Sequence, residues 1–298
     1  MHAAEVEAEA EALAWLDARL AAVGRRRTGG VEVVKRRAWG TVMRAETDGG
    51  AVWLKLPAPA VAFEVALYPL LHRLVPGRVL APIAADPVTG RLLLPDGGPT
   101  LRDRFQGAEL EAAFVRVLPR YAELQRALMP AVPELLAAGV IDMRADVLVR
   151  RFDVAVEHAP AVHPKRAWFA AVAAALGESR VPAGLDHADL HEGNVFAGGG
   201  LVYDWGDSVI GHPFGSMLVA LRLGGDRGRD AYLEVFSDLA PRAELRRDLR
   251  NARIAANVIR ALTWQRAIGT GAEVDPAFAQ GPAVHLRQLL SDAPWECP

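Results

Sequence analysis

Cysteine is almost absent. Cys297 is the only one in 298 residues, which excludes a disulfide framework and a thiolate metal cage. No apolar run reaches the roughly 18 residues of a membrane span. The start of the chain, where Glu5, Glu7, Glu9 and Glu11 are interleaved with alanines, is unlike a signal peptide, so the expected location is the cytoplasm. Neither sign of charge is in excess: 34 basic side chains face 36 acidic ones, a net of −2. That balance argues against a dedicated nucleic-acid protein. Internal repeats and long low-complexity linkers are also missing. What is plentiful is apolar: 51% of residues are hydrophobic, enough for a full core in one large domain or two lobes.

Taken in order, the chain changes period twice. Ala3 to about Val23 reads as a helix, with Val6, Leu13, Leu16, Leu20 and Val23 on one stripe and Gly24 as its stop. Arg25, Arg26 and Arg27 suit the negative helix end. From Val31 the period is two: strands are expected over Val31–Ala38, Thr41–Thr47 and Ala51–Pro57, joined by turns at Trp39-Gly40 and Asp48-Gly49-Gly50. A helix over Ala60–Leu74 follows, with Pro69 expected to kink it or split its ends. Two more strands are expected at Val79–Ala84 and Arg91–Leu94. Pro95-Asp96-Gly97-Gly98-Pro99 is the best boundary in the sequence and divides the chain into 1–96 and 97–298. Beyond it the pattern is helical. Thr100 with Asp103 can cap a short helix, and longer helices are expected over Glu109–Leu128, Pro133–Ala138, Ala145–Val156, Pro164–Gly177, Glu244–Ile268 and Val284–Leu290.

Reactive side chains crowd in one place, Leu185-Asp186-His187-Ala188-Asp189-Leu190-His191-Glu192-Gly193-Asn194, with Asp204-Trp205 ten residues on. The spacing is that of the catalytic-loop pattern His-x-Asp-Leu-x-x-x-Asn followed by a metal-binding Asp. Phosphoryl transfer to a hydroxyl needs a carboxylate to accept the proton, here Asp189. It also needs oxygen ligands for Mg²⁺, here Asn194 and Asp204. Val195–Ala197, the run Gly198-Gly199-Gly200 and Leu201–Tyr203 read as a hairpin that folds Asn194 and Asp204 back to one end. Two other readings stand beside this one: an ordinary hydrogen-bonded polar loop, and a hydrolytic Zn²⁺ site at His187, Asp189 and His191.

His187-Ala188-Asp189-Leu190-His191 with Asn194 and Asp204-Trp205-Gly206-Asp207 resembles the aminoglycoside phosphotransferase and choline kinase family, which usually reads His-Gly-Asp-Leu-His and Ile-Asp-Trp. Ala188 replaces the usual Gly, a small change unless the backbone there needs positive φ, and Tyr203 replaces the Ile. The resemblance implies an α+β, two-lobed, protein-kinase-like fold, with a small antiparallel-sheet N-lobe and a mostly helical C-lobe. It further implies ATP as co-substrate, Mg²⁺ as cofactor, and a small hydroxylated acceptor rather than nucleic acid or membrane. The protein-kinase activation segment is missing, because Asp204 runs into a helix within about a dozen residues.

Residue by residue, His187 would hold the loop for Asp189. Lys55 would meet the α- and β-phosphates, held ready by Glu64. Gly40 would lie over the phosphates, although it is a single glycine where Gly-x-Gly-x-x-Gly is usual. The backbone of Asp96 and Gly97 would meet adenine. For the acceptor, a polycationic aminoglycoside would use Glu192, Asp207, Glu273 and Asp275, while an amino sugar, a sugar or a nucleoside antibiotic is equally open, and Asp207 is expected to order the catalytic loop or touch the substrate. An amino alcohol would use an aromatic box at Trp205 and Trp264, and Gln265 could also line the pocket. His212 reads as a structural histidine. The alternative from another class is a catalytically silent kinase-like nucleotide-binding or scaffolding protein, which the poor glycine loop would suit.

Overall fold

A computed structural model describes residues 3–268 and 276–298. The chain forms two compact units, residues 1–97 and 98–298.

In the first unit a long helix lies on an antiparallel sheet. Helix α1 (Ala3–Ala22) is followed by β1 (Arg27–Arg37), β2 (Gly40–Thr47) and β3 (Val52–Pro57), then α2 (Phe63–Leu74), β4 (Ala84–Asp86) and β5 (Arg91–Pro95). The strand order is β1-β2-β3-β5-β4, and every pairing is antiparallel. Ala12, Trp15, Leu16 and Leu20 of α1 are buried with Met43, Ala45, Val52, Leu54 and Leu93 from the sheet. Because side chains alternate along a strand, Leu54 enters this cluster and Lys55 takes the opposite face.

Three expectations for this unit are corrected. Val23 lies past the end of α1 and is half exposed, outside the buried stripe. Helix α2 runs unbroken through Pro69, and the break comes earlier, at Ala62, between a short 3-10 turn and the helix. Val79–Ala84 is not a strand: pairing begins at Ala84, since Pro82 has no N–H for a ladder.

The second unit is helical around a small sheet. Its elements are α3 (Leu101–Arg104), α4 (Gly107–Leu128), α5 (Val132–Ala137), β6 (Ile141–Asp142), α6 (Ala145–Ala155), α7 (Arg166–Gly177), β7 (Gly184–Asp186), β8 (Val209–Gly211), α8 (Met217–Glu234), α9 (Arg242–Ile268), α10 (Pro276–Ala279) and α11 (Gly281–Gln288). Thr100 and Asp103 form the reciprocal capping box at α3. Helix α4 turns Phe114, Val117, Leu118, Tyr121, Leu124, Gln125 and Leu128 inward. Helix α8 packs on it through Gly228, where an added Cβ would come within 2.7 Å of Leu118.

The sheet β6-β8-β7 is what positions the polar loop. Its strands are two or three residues long and carry no readable alternation, so the sequence pattern gives no sign of them. The β7–β8 pairing sets Asp186 opposite Val209, so the loop after β7 and the segment before β8 share one end of the sheet. Between them the expected hairpin is reduced to a single bridge, Val195 to Val202. It is supported by Phe196 N donating to Leu201 O at 2.9 Å and Tyr203 N to Asn194 O at 3.1 Å.

Candidate active site

The loop turns sharply as it leaves β7. Ala188 has φ 61°, so this is the position where positive φ is needed and where alanine carries strain that glycine would not. The Asp186 side chain points inward and is fully buried. It accepts from Ala188 N at 3.1 Å and from the Ser216 hydroxyl. Burial pushes its pKa up to about 7.

A neutral network surrounds that carboxyl. The Tyr121 hydroxyl accepts from His187 N at 3.0 Å and lies 2.8 Å from Ser216 Oγ. Gln125 Nε2 lies 3.0 Å from both Tyr121 Oη and Leu185 O and 2.8 Å from Pro213 O. Tyr232 donates to Gln125 Oε1 at 2.6 Å. The strand end, the loop and the segment before α8 are thereby tied to one amide.

His187 is buried against Trp205, edge to face at 4.9 Å. Its Nδ1 accepts from Asp189 N at 3.3 Å and its Nε2 lies 2.9 Å from Tyr203 O. This pattern puts the proton on Nε2 of a neutral ring, consistent with burial lowering its pKa. Asn194 donates from Nδ2 to Asp189 O at 3.0 Å. Asp204 occupies the left-handed region at φ 65°, ψ 61°, where a short polar side chain is tolerated.

The other side of the loop is ionic. Arg260, on the buried face of α9, reaches Asp189 at 3.1 Å and Asp207 at 2.9 Å. Burial works against its charge, but the two carboxylates outweigh that and raise its pKa. For Asp207 burial dominates: its pKa is raised to about 6, with Arg260 opposing and the neighbouring Asp189 and Asp204 adding to the rise. Glu192 pairs with Arg102 at 2.7 Å. His191 Nδ1 accepts from Gly193 N at 3.0 Å, and its Nε2 lies 3.8 Å from Asp189.

Asp189, His191, Glu192 and Arg260 line a cleft of about 690 Å³, with Leu110, Phe114, Arg222, Leu223, Trp264 and Phe278 among its walls. Trp205 is not in it: the ring is fully buried beneath the loop. Gln265 does not line it either. Glu273 and Asp275 lie outside the described residues. His212 is structural: Nδ1 accepts from Phe214 N and Nε2 lies 3.1 Å from Ser179 Oγ, which donates to Asp248.

Among the described residues no three His, Cys, Asp or Glu side chains converge on one point. The Zn²⁺ reading therefore fails, since His187 is committed to Tyr203 and Asp189. The donor set instead fits an ion that takes one or two protein oxygens and completes its shell with phosphate, as Mg²⁺ does. With Nδ2 engaged, the Asn194 amide leaves its oxygen available for that role.

In the first unit Lys55 Nζ lies 2.6 Å from Glu64 Oε1, and Glu64 is 2% exposed. Gly40 has φ 147°, and an added Cβ would sit 2.7 Å from Leu56 O, so glycine there is demanded by the β2–β3 pairing itself. Asp96 accepts from Trp53 Nε1 at 3.3 Å and its N donates to Ala51 O at 3.2 Å. Gly97 ends the unit.

Arg260, Arg102, Tyr121, Gln125, Ser216 and Tyr232 are all missing from the sequence reading. The one available signal was polar residues at inward helix positions: Tyr121 and Gln125 on α4, and Arg260 beside Ile259 on α9.

Together the mixed fold and the loop define a kinase-like phosphotransferase. The model of the phosphotransferase enzyme family matches residues 30–247, and the chain belongs to that family. Solved structures share the fold at low identity. A choline/ethanolamine kinase family protein from Mesorhizobium loti is 16% identical, covering 95% of this chain and 96% of that one, with a TM-score of 0.62. A macrolide 2'-phosphotransferase from Brachybacterium faecium is 17% identical, covering 91% and 97%, at 0.60. The GDP and kanamycin complex of APH(2")-IIia is 14% identical, covering 87% and 92%, also at 0.60. No curated protein sequence matches. No described helix is long and apolar enough to cross a membrane.

Proposed function

We propose that the protein transfers the γ-phosphate of ATP to the hydroxyl of a small molecule, with Asp189 as the base. The acceptor oxygen forms a bond to the γ-phosphorus, the bond to the β,γ-bridging oxygen breaks, and ADP leaves with that electron pair. The acceptor proton passes to the Asp189 carboxylate. Arg260 aims that carboxylate, and His187, held neutral, fixes the backbone on either side of it. Asn194 and Asp204 would hold Mg²⁺, which when bound neutralises charge on the triphosphate. Lys55, fixed by Glu64, is the candidate phosphate ligand of the first unit. Gly40, Asp96 and Gly97 are its further nucleotide candidates.

The observation that supports this reading most is that the Asp189 carboxylate lines an open cleft while its main-chain N and O are both tied down, by His187 and Asn194. Such a group is fixed in place yet reachable by substrate. The test is Asp189→Asn, with ADP release and thermal stabilisation by Mg²⁺-ATP measured side by side. Turnover should fall about 10²- to 10⁴-fold while the stabilisation by nucleotide is kept. Equal turnover in the variant would remove Asp189 as the base. A parent protein indifferent to nucleotide would favour the scaffolding alternative.

A further inference from the structure

The candidate acceptor carboxylates among the described residues are already paired. Glu192 is matched by Arg102, and Asp189 and Asp207 by Arg260. Trp264 is stacked on Phe278 at 5.5 Å and 18°, and the Arg260 guanidinium lies 5.7 Å from its ring centre. Gly281 allows that ring position, since a Cβ there would come within 2.8 Å of it. Among the described residues, then, the cleft offers a polycation no unpaired side-chain carboxylate, and a quaternary ammonium meets an aromatic face that already carries a cation. Trp205 is buried and offers it nothing.

One charge is left over. Arg222, exposed on α8, lines the same cleft and has no ion-pair partner among the described residues. Of the three lining arginines, Arg102 and Arg260 face carboxylates and Arg222 does not. Beside them are Leu110, Phe114, Leu223 and Val284. A guanidinium next to an apolar wall suits a ligand with a carboxylate at one end and an apolar or ring portion at the other, because the planar fork binds a carboxylate through two parallel bonds.

We propose that the acceptor is a hydroxyl compound carrying a carboxylate, which Arg222 binds while the apolar wall receives the remainder. This rests on the phosphotransferase reading. It sets the charge of the acceptor opposite to that of an aminoglycoside or a choline-like alcohol.

The experiment is ADP release with Mg²⁺-ATP on sets of hydroxyl compounds matched in scaffold and differing only in charge. One set is phenyl β-D-glucuronide, phenyl β-D-glucoside and phenyl β-D-glucosaminide. A second is aromatic hydroxy acids with their amides and amines. The carboxylate members should have the highest kcat/KM. Arg222→Glu should lower the carboxylate-to-neutral ratio by about tenfold to a hundredfold, the worth of a charge-assisted bond, and Arg222→Gln should fall between. Arg222 is exposed, so both variants should fold, and equal thermal transitions check this. Preference for the neutral or cationic member, a ratio untouched by Arg222→Glu, or no use of any carboxylate member overturns the proposal. None of those outcomes touches the phosphotransferase reading, which fails only if Mg²⁺-ATP neither binds nor turns over.

Discussion

Asp186 and Asp189 are three residues apart on one loop and face opposite surroundings. Asp186 enters a sealed set of neutral hydroxyls and an amide, where burial pushes its pKa up to about 7. Asp189 looks into an open cleft, where it meets a guanidinium. A group held neutral in the interior can fix geometry without the cost of a buried charge. A carboxylate that opens onto a cleft can meet an acceptor hydroxyl. The loop is rigid on one side and chemical on the other, and the difference comes from surroundings rather than residue type.

The sharpest way to break this contrast is pH. Asp186 binds its proton more tightly in the folded state than at its ordinary carboxyl value of about 3.8. From about pH 4 to 7 the folded protein therefore holds a proton that the unfolded chain has lost. Stability should fall as pH rises through that window, by up to about 1.4 kcal/mol per unit and about 4 kcal/mol in all, and level off above it. Asp186→Asn should reduce the slope, leaving the part below about pH 6 that Asp207 contributes, as read by urea denaturation at a series of pH values. An unchanged slope would mean that Asp186 is ionised in the folded protein.

Next in size is Gln125→Leu, which keeps the shape but takes the side-chain donor from Leu185 O and leaves the Tyr232 hydroxyl and Pro213 O only each other. The expected loss is about 1–3 kcal/mol in chemical denaturation, the cost of one buried unpaired group. Asp189→Asn, by contrast, leaves Arg260 its second carboxylate, Asp207, and should cost less. If Gln125→Leu proved as mild, the buried side would not be what holds the loop.

The smallest effect is at Ala188, whose φ of 61° is strained for any residue with a Cβ. Ala188→Gly should raise stability by up to about 1 kcal/mol, seen as a higher thermal midpoint. A fall would show that the alanine methyl, which is buried, contributes more by packing than it costs in strain.

What was legible in the sequence was local. His187 to Asn194 declares itself through spacing along a few residues, as does the strand-turn-strand rhythm around Lys55. Arg260 and Gln125 lie 71 and 64 residues from Asp189, and only packing of α9 and α4 brings them to the loop. Nothing at either position marks a partner so far away. The strands Gly184–Asp186 and Val209–Gly211 were invisible for a different reason: three residues are too few for a period of two to register. Ala188 was read as a conservative exchange because a residue letter does not state φ.

Gly215 lies beside the Asp186 carboxylate so tightly that a Cβ placed on it would overlap Oδ2. The two positions therefore form a single mutational unit. Alanine at 215 is admissible only after residue 186 has shrunk, and an aspartate at 186 locks glycine at 215. Any evolutionary or laboratory path that resets one of them must pass through the other, so correlated change between sites 29 residues apart is the record this packing should leave among related chains.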